Sequence, residues 1–336
     1  MRNYLAVIIL MLAININAQD IHFSQFYASP LTLNPSMTGL LNGDCRAGVI
    51  YRNQWNSVTV PFVTISGSYE HRFVLENEDQ VGAGIVLVSD QSGDANFTIL
   101  KGHLSGAYHK VLNENHQIAL GIQPGYVQKS IDITNLTFPN QYDNTTGNFD
   151  INNPSGEPSS TMATKTSYID LNIGALWVGR FSKELSAYGG FSSFHLNSPN
   201  ESFYSGGESK LPMRMVIHGG VRYLTGTNLS VVPDFIFMTQ AGVTELNIGT
   251  AVEYSIPDNN NAKSLLSLGG YYRNKDAFII SAGMGYKNFK LGVCYDYNTS
   301  DLKVASANKG GFELSLTYIC QLKKGPAIIA VPCRAF

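Results

Sequence analysis

The sequence predicts an all-β protein: a transmembrane antiparallel β-barrel of about 14 strands with long extracellular loops. Three observations carry that reading: two-residue hydrophobic alternation, an export signal with no membrane helix after it, and a composition rich in glycine and aromatics. The alternation is clearest near the C-terminus. Phe289, Leu291, Val293, Tyr295 and Tyr297 alternate with Lys290, Gly292, Cys294 and Asp296. Successive side chains of a strand point to opposite faces, so this run has one greasy face ending in aromatics and one small or charged face. Phe312, Leu314, Leu316 and Tyr318 repeat the pattern against Glu313, Ser315 and Thr317.

The export signal occupies residues 1–18. Met1-Arg2-Asn3 precedes an apolar run from Tyr4 through Ile14, and small or polar residues lead to Ala18. One positive charge, an apolar core and a small residue before Gln19 read as a cleaved secretory signal. The run is too short to span a bilayer, which takes about twenty residues. No later stretch reaches that length, so a membrane-embedded chain crosses as strands, and in lipid those strands must close into a barrel. No cysteine sits at the cleavage point to take a lipid anchor. The chain holds 32 Gly, 18 Tyr and 17 Phe, with 14% charged residues and a mean hydropathy of −0.04. Outer-membrane barrels have this profile because half of each strand faces a polar lumen and aromatics girdle the interfaces. Losing Arg2 with the signal leaves 22 basic residues (23 less one) against 25 acidic. A nearly neutral chain has no electrostatic claim on nucleic acid.

Taken in order, the strand cores alternate with turn signals. Strands at 46–55 and 60–73 flank a short connection at 56–59. A polar turn at 74–79 leads to 80–89, and the next strand runs over 97–110. The turn at 111–115 gives 116–128, and then comes the longest connection, 129–166, rich in Asn, Pro, Ser, Thr and Gly. Strand 167–180, a turn at 181–183 and strand 184–196 precede a second long loop, 197–213. Strands 214–224 and 228–240 are joined at 225–227, and Ala241-Gly242 turns into 243–255. After 256–263 come 264–273, 277–286 and 288–298, the last two separated by Lys287. Connection 299–310 leads to the final strand, 311–320. With the first strand starting inside, the even-numbered connections are all short, as the periplasmic turns of bacterial barrels are. The odd-numbered set contains the three longest connections and also three short ones. The domain reading is a signal at 1–18, a periplasmic lead-in or plug at 19–45, the barrel at 46–320 and a periplasmic tail at 321–336.

Catalytic signatures are missing: no His-Glu-x-x-His, Gly-x-Ser-x-Gly or phosphate loop occurs. No cofactor and no metal is expected. Gly82-x-Gly84 and Gly283-x-Gly285 are ordinary barrel glycines, since neither opens a helix. His103 and His109 share a strand face about 20 Å apart at strand rise, which suits polar lumen residues better than metal ligands. Arg214, His218 and Arg222 share a face, as do Glu245, Asn247 and Glu253. These are candidate lumen-lining residues, read either as cross-strand charge pairs or as the selectivity lining of a pore. Phe23, Phe26 and Tyr27 in the N-terminal segment, with Phe203 and Tyr204 in a long loop, are candidate partner contacts. For the N-terminal three the alternative is packing against or inside the barrel, and for the loop pair a loop that folds into the barrel. Cys45 precedes the first strand and Cys320 closes the last, so in a closed barrel Cys45 lies near Cys320 or Cys333. A disulfide at that rim suits an oxidising compartment. Trp55, at a strand end, belongs to the aromatic girdle.

Longer motifs go beyond barrel physics. The stretch from Gln19-Asp20-Ile21-His22-Phe23-Ser24-Gln25-Phe26-Tyr27 to Leu33-Asn34-Pro35, then Thr38-Gly39, resembles the opening of the PorP/SprF family. So do Tyr51-Arg52-Asn53-Gln54-Trp55 and His195-Leu196-Asn197-x-Pro199-Asn200-x-x-Phe203. His218-Gly219-Gly220, Tyr295-Asp296-x-Asn298-Thr299-Ser300 and Gly310-Gly311-Phe312-Glu313-Leu314-Ser315-Leu316 follow in the family's order. The family's terminal Cys-Pro-Arg-Phe is altered here to Pro332-Cys333-Arg334-Ala335-Phe336. The resemblance implies an outer-membrane component of a Gram-negative type IX secretion system. Its partners would be a secreted surface adhesin, which it helps to secrete or anchor, or other secretion components linked through the periplasm. Gliding motility is one setting for such members, and neither role needs covalent chemistry. The competing expectation is a passive outer-membrane channel or hydrophobic-solute transporter; an outer-membrane enzyme is the weakest.

Overall fold

A computed structural model describes residues 20–55, 60–93, 95–132, 136–156, 163–256, 264–301 and 303–321. The signal at 1–18, Cys333 and all but the first residue of the 321–336 tail lie outside the described residues. Alternation drives the chain into strands β1 (Cys45–Gln54), β2 (Phe62–Val74), β3 (Gln80–Ser92), β4 (Phe97–Asn113) and β5 (His116–Ser130). A small hairpin follows in the long loop, β6 (Tyr142–Asp143) and β7 (Asn148–Phe149). Then come β8 (Lys165–Arg180), β9 (Leu185–Phe194), β10 (Arg214–Thr225), β11 (Leu229–Gln240) and β12 (Val243–Ile256). The wall ends with β13 (Ser264–Arg273), β14 (Ala277–Tyr286), β15 (Phe289–Asn298) and β16 (Lys309–Cys320).

All except β6 and β7 form one closed antiparallel barrel of fourteen strands, with each strand beside its sequence neighbour and β1 closing on β16. The seam runs from Cys45 opposite Cys320 to Gln54 opposite Gly311. At its lower end Cys45 and Cys320 form a disulfide, with Cα atoms 5.1 Å apart. Closure removes the sheet edge that lipid cannot satisfy. The faces separate as the alternation requires. Leu268, Ile280, Leu120 and Leu104 are exposed on the outer face, while Asp296, Glu313, Arg273 and Asp170 are buried on the inner one. The two-residue turn Ala241-Gly242 holds positive φ at both positions (50° and 81°), the geometry that fits strand twist in a tight hairpin.

Residues 20–44 lie inside the barrel rather than below it. Prolines start the short turns of this segment: a helical turn at Pro30–Leu33 and a 3₁₀ turn at Pro35–Met37, after an earlier 3₁₀ turn at Phe26–Ala28. A ring-fixed φ and a missing N–H suit proline to a first helical position. Asn34 caps the last turn by accepting from the Ser36 amide at 2.9 Å. Leu31 and Met37 are fully buried, and Phe26 and Tyr27 pack on Tyr271 with ring centroids 6.2 and 6.3 Å away. The backbone here presses directly on wall glycines. A side chain at Gly82 would strike the Thr38 carbonyl, and one at Gly121 would strike Ser36 and Pro35. The segment descends the lumen. Asp20 sits among His195, Arg214 and Gln240 at the long-loop rim, and Cys45 lies at the opposite, short-turn rim.

Candidate functional site

The candidate site on the inner face is the interface between this plug and the wall. Its first anchor is Ser24. The Ser24 hydroxyl donates to Asp296 Oδ2 at 2.7 Å and accepts from Arg52 Nη1 (2.8 Å) and Arg273 Nη1 (3.0 Å). The Glu313 carboxylate accepts from the backbone amides of Ser24 (2.7 Å) and Gln25 (2.8 Å) and pairs with Arg52. Arg273 pairs with Asp296 at 2.6 Å. Strands β1, β13, β15 and β16 thus deliver two cations and two anions to one plug residue. Every one of these charges is almost fully buried, which is tolerable only because each is paired and hydrogen-bonded.

A second anchor holds Asp20. Lys101 lies 2.9 Å from its Oδ1, His195 Nε2 is 2.5 Å from its Oδ2, and Arg214 is 3.8 Å away. His195 Nδ1 continues to Asp170 at 2.8 Å, and Asp170 reaches His103 at 3.0 Å. His195 stands just beyond β9. Burial works against its charged form, but the Asp20 and Asp170 carboxylates outweigh burial and hold its pKa above the ordinary imidazole value. A small cavity of about 40 Å³ lies between this anchor and the plug residues Phe23 and Leu31.

Two further contacts fix the lower plug. Glu70, paired with Arg46, accepts from the Gly39 amide at 2.6 Å. His109 Nε2 meets the Thr38 carbonyl at 2.7 Å, with Gln117 on its other nitrogen. Between the upper and lower anchors the Asn34 amide donates to the Ala175 and Phe191 carbonyls and contacts His218 at 3.0 Å.

The candidate lumen residues all lie on this inner face: three of the five contact the plug and the other two pair with each other. Arg214 donates to the Ile21 carbonyl and stacks on Phe194, while His218 meets Asn34. Glu245 lies 3.2 Å from His22 of the plug. Arg222 pairs with Glu253 at 2.6 Å across the intervening β11. Phe23, Phe26 and Tyr27 are 6%, 4% and 8% exposed. Their rings fill the lumen and offer no surface to a partner in this conformation. Phe203 packs on Phe97 at 6.3 Å between centroids, while Tyr204 is exposed at the loop surface. Loop 195–213 is tied down by Leu211, buried with Val127 and Tyr168, and by the Lys129–Glu201 pair. Asp20, Ser24, Asn34, Arg52, Glu70 and Arg273 carry the plug without having been singled out individually as site residues. The signal for several of them was their place in the quoted motifs.

Solved structures with a similar fold include the toluene transporter TodX of Pseudomonas putida. Its TM-score is 0.50 at 8% identity, covering 86% of this chain and 93% of that one. A FadL homologue of Pseudomonas aeruginosa gives 0.48 at 11% identity, over 85% and 92%. At such identity the likeness concerns the barrel fold alone. No curated protein matches the chain. The family described as type IX secretion system membrane protein PorP/SprF matches residues 15–318, nearly the whole sequence. This closed barrel, with its internally anchored N-terminal segment, is an outer-membrane protein, and the chain belongs to the PorP/SprF family.

Proposed function

We propose that this barrel works by binding: it holds a secreted surface adhesin, or another component of the type IX machinery, and helps to secrete or anchor it. The observation that carries the reading is the filled lumen. Residues 20–44 occupy it through buried ion pairs, and among the described residues the cavities found beside the segment measure about 20–50 Å³. Such space weighs against the passive channel or hydrophobic-solute transporter, which needs the plug to leave. The role needs no covalent chemistry, so we read the chain as non-enzymatic. The long-loop rim supplies surface for a partner. Hairpin β6–β7 presents Tyr142 and Phe149 as an edge-to-face pair at 5.2 Å, with Ile151 66% exposed beside them. Gln141 ties this hairpin to the Ile151 and Asn153 carbonyls, so the rings are held ready. Tagged protein extracted in mild detergent from its native outer membrane should carry a large adhesin or a secretion component, identified by mass spectrometry. A variant with Tyr142→Ala and Phe149→Ala should lose most of it. Recovery of the barrel alone, together with solute flux through it, would overturn the binding role.

A further inference from the structure

The pairing of β15 with β16 breaks register near the long-loop rim. Tyr295 opposes Phe312 and Tyr297 opposes Lys309, so Asp296 alone faces the two glycines Gly310 and Gly311. This is a β-bulge, a device that bends a strand and re-aims side chains. Inside the barrel, Asp296 uses the position to reach Arg273, Arg52 and Ser24. Outside, the same irregularity leaves a gap. Both glycines of the bulge lack a side chain, and one at Gly310 would strike the Asp296 backbone. A groove of about 460 Å³ lies beside the bulge.

The lining of that groove runs from apolar to charged. Phe312 and Tyr295, 43% and 45% exposed, form its aromatic floor. Tyr51 and Asn53 form the β1 side, joined by a hydrogen bond from the Asn53 amide to the Tyr51 hydroxyl at 3.2 Å. Lys309 stands at the rim end, and among the described residues it has no ion-pair partner. The volume falls in the range of small-molecule sites, about 300–1,000 Å³. What stands against an outward-facing wall of a membrane barrel is lipid, and the groove is continuous with that wall. Its polarity runs as a lipid does, with the cation toward the headgroup region and the rings toward the acyl chains.

We propose that the groove is a binding site for one anionic membrane lipid, its acyl chain along Tyr295, Phe312 and Tyr51 and its phosphate against Lys309. The test is native mass spectrometry of the delipidated barrel in mild detergent, titrated with dioleoylphosphatidylglycerol or dioleoylphosphatidylcholine. Wild-type protein should retain one phosphatidylglycerol, about fivefold to tenfold in preference to phosphatidylcholine. Lys309→Glu should abolish the preference, and Asn53→Trp should lower retention of both lipids by filling the trough. Lys303→Glu, on the neighbouring loop, should behave as wild type. Heat-modifiable migration on gels checks that each variant is folded. Equal retention of the two lipids by wild type, or a preference that survives Lys309→Glu, would overturn the proposal.

Discussion

Glu313 is the residue on which most of the upper plug depends. Its two oxygens take the Ser24 and Gln25 amides together with the Arg52 guanidinium. Glu313→Ala leaves Arg52 short of a partner and two amides without acceptors, and breaking a buried pair of this kind costs roughly 3–5 kcal/mol. Hydrogen exchange should show the Ser24 and Gln25 amides losing protection in Glu313→Ala and keeping part of it in Glu313→Gln. Unchanged protection in both would mean that the plug is held elsewhere. His195 makes a second prediction, this one in pH. Its folded pKa is raised, so its contribution is complete below the unfolded value of about 6.5 and is lost as pH rises through the folded value. Protease access to the Asp20 region should therefore grow on going from mildly acidic to alkaline pH, and His195→Gln should flatten the change. A flat wild-type profile would remove His195 from the anchor. At this scale the sequence was half legible. Parity alone put His103 and His109 on an inner face, but Ser24's partners lie 28 to 289 residues away along the chain. No local pattern could join them.

Elements were far easier to read than contacts, for a physical reason. A wall strand must alternate to satisfy lipid on one side and lumen on the other, so period-two segments mark all fourteen, two of them with the observed bounds, Ser264–Arg273 and Ala277–Tyr286. Hairpin β6–β7 escaped because two-residue strands in a polar loop leave no period to detect. The 20–44 segment escaped in part because its turns are set by Pro30, Pro35 and the Asn34 cap, which fix local shape and say nothing about what encloses it. The seam is the element-scale feature with a direct test. The Cys45–Cys320 bridge closes a loop of 275 residues onto strands already paired by the β1–β16 ladder. Cys45→Ser should cost about 2–4 kcal/mol, the usual range for a native disulfide. It should also lower the temperature at which the barrel unfolds on gels. Addition of reductant to wild type should reproduce the shift. A variant with unaltered unfolding, reduced or not, would show that the ladder alone secures the seam.

For the whole molecule, the question is whether the barrel is a conduit that happens to be closed or a scaffold built around its own N-terminal segment. The second view follows from how evenly the attachment is spread. Asp20 is gripped near the long-loop rim, Ser24 by the β15–β16 side, Asn34 by β8, β9 and β10, and Gly39 by β2. Wall glycines at 82 and 121 give up side chains to admit the segment's backbone. A gate would be expected to concentrate its attachments where it opens; this segment is attached along its length. In planar bilayers the wild-type barrel should therefore be electrically silent. A variant lacking residues 21–40, which keeps Asp44 and the Cys45 bridge, should show steady conductance if it folds, as judged by heat-modifiable migration. The combination of Arg52→Ala with Glu313→Ala tests the same point without a deletion, and it should give intermittent openings as the upper plug loosens. Silence in a folded deletion variant would mean that something besides the plug closes the barrel, with loop 195–213, tied down through Leu211 and Glu201, the first to remove. Conductance in the wild type would overturn the scaffold view.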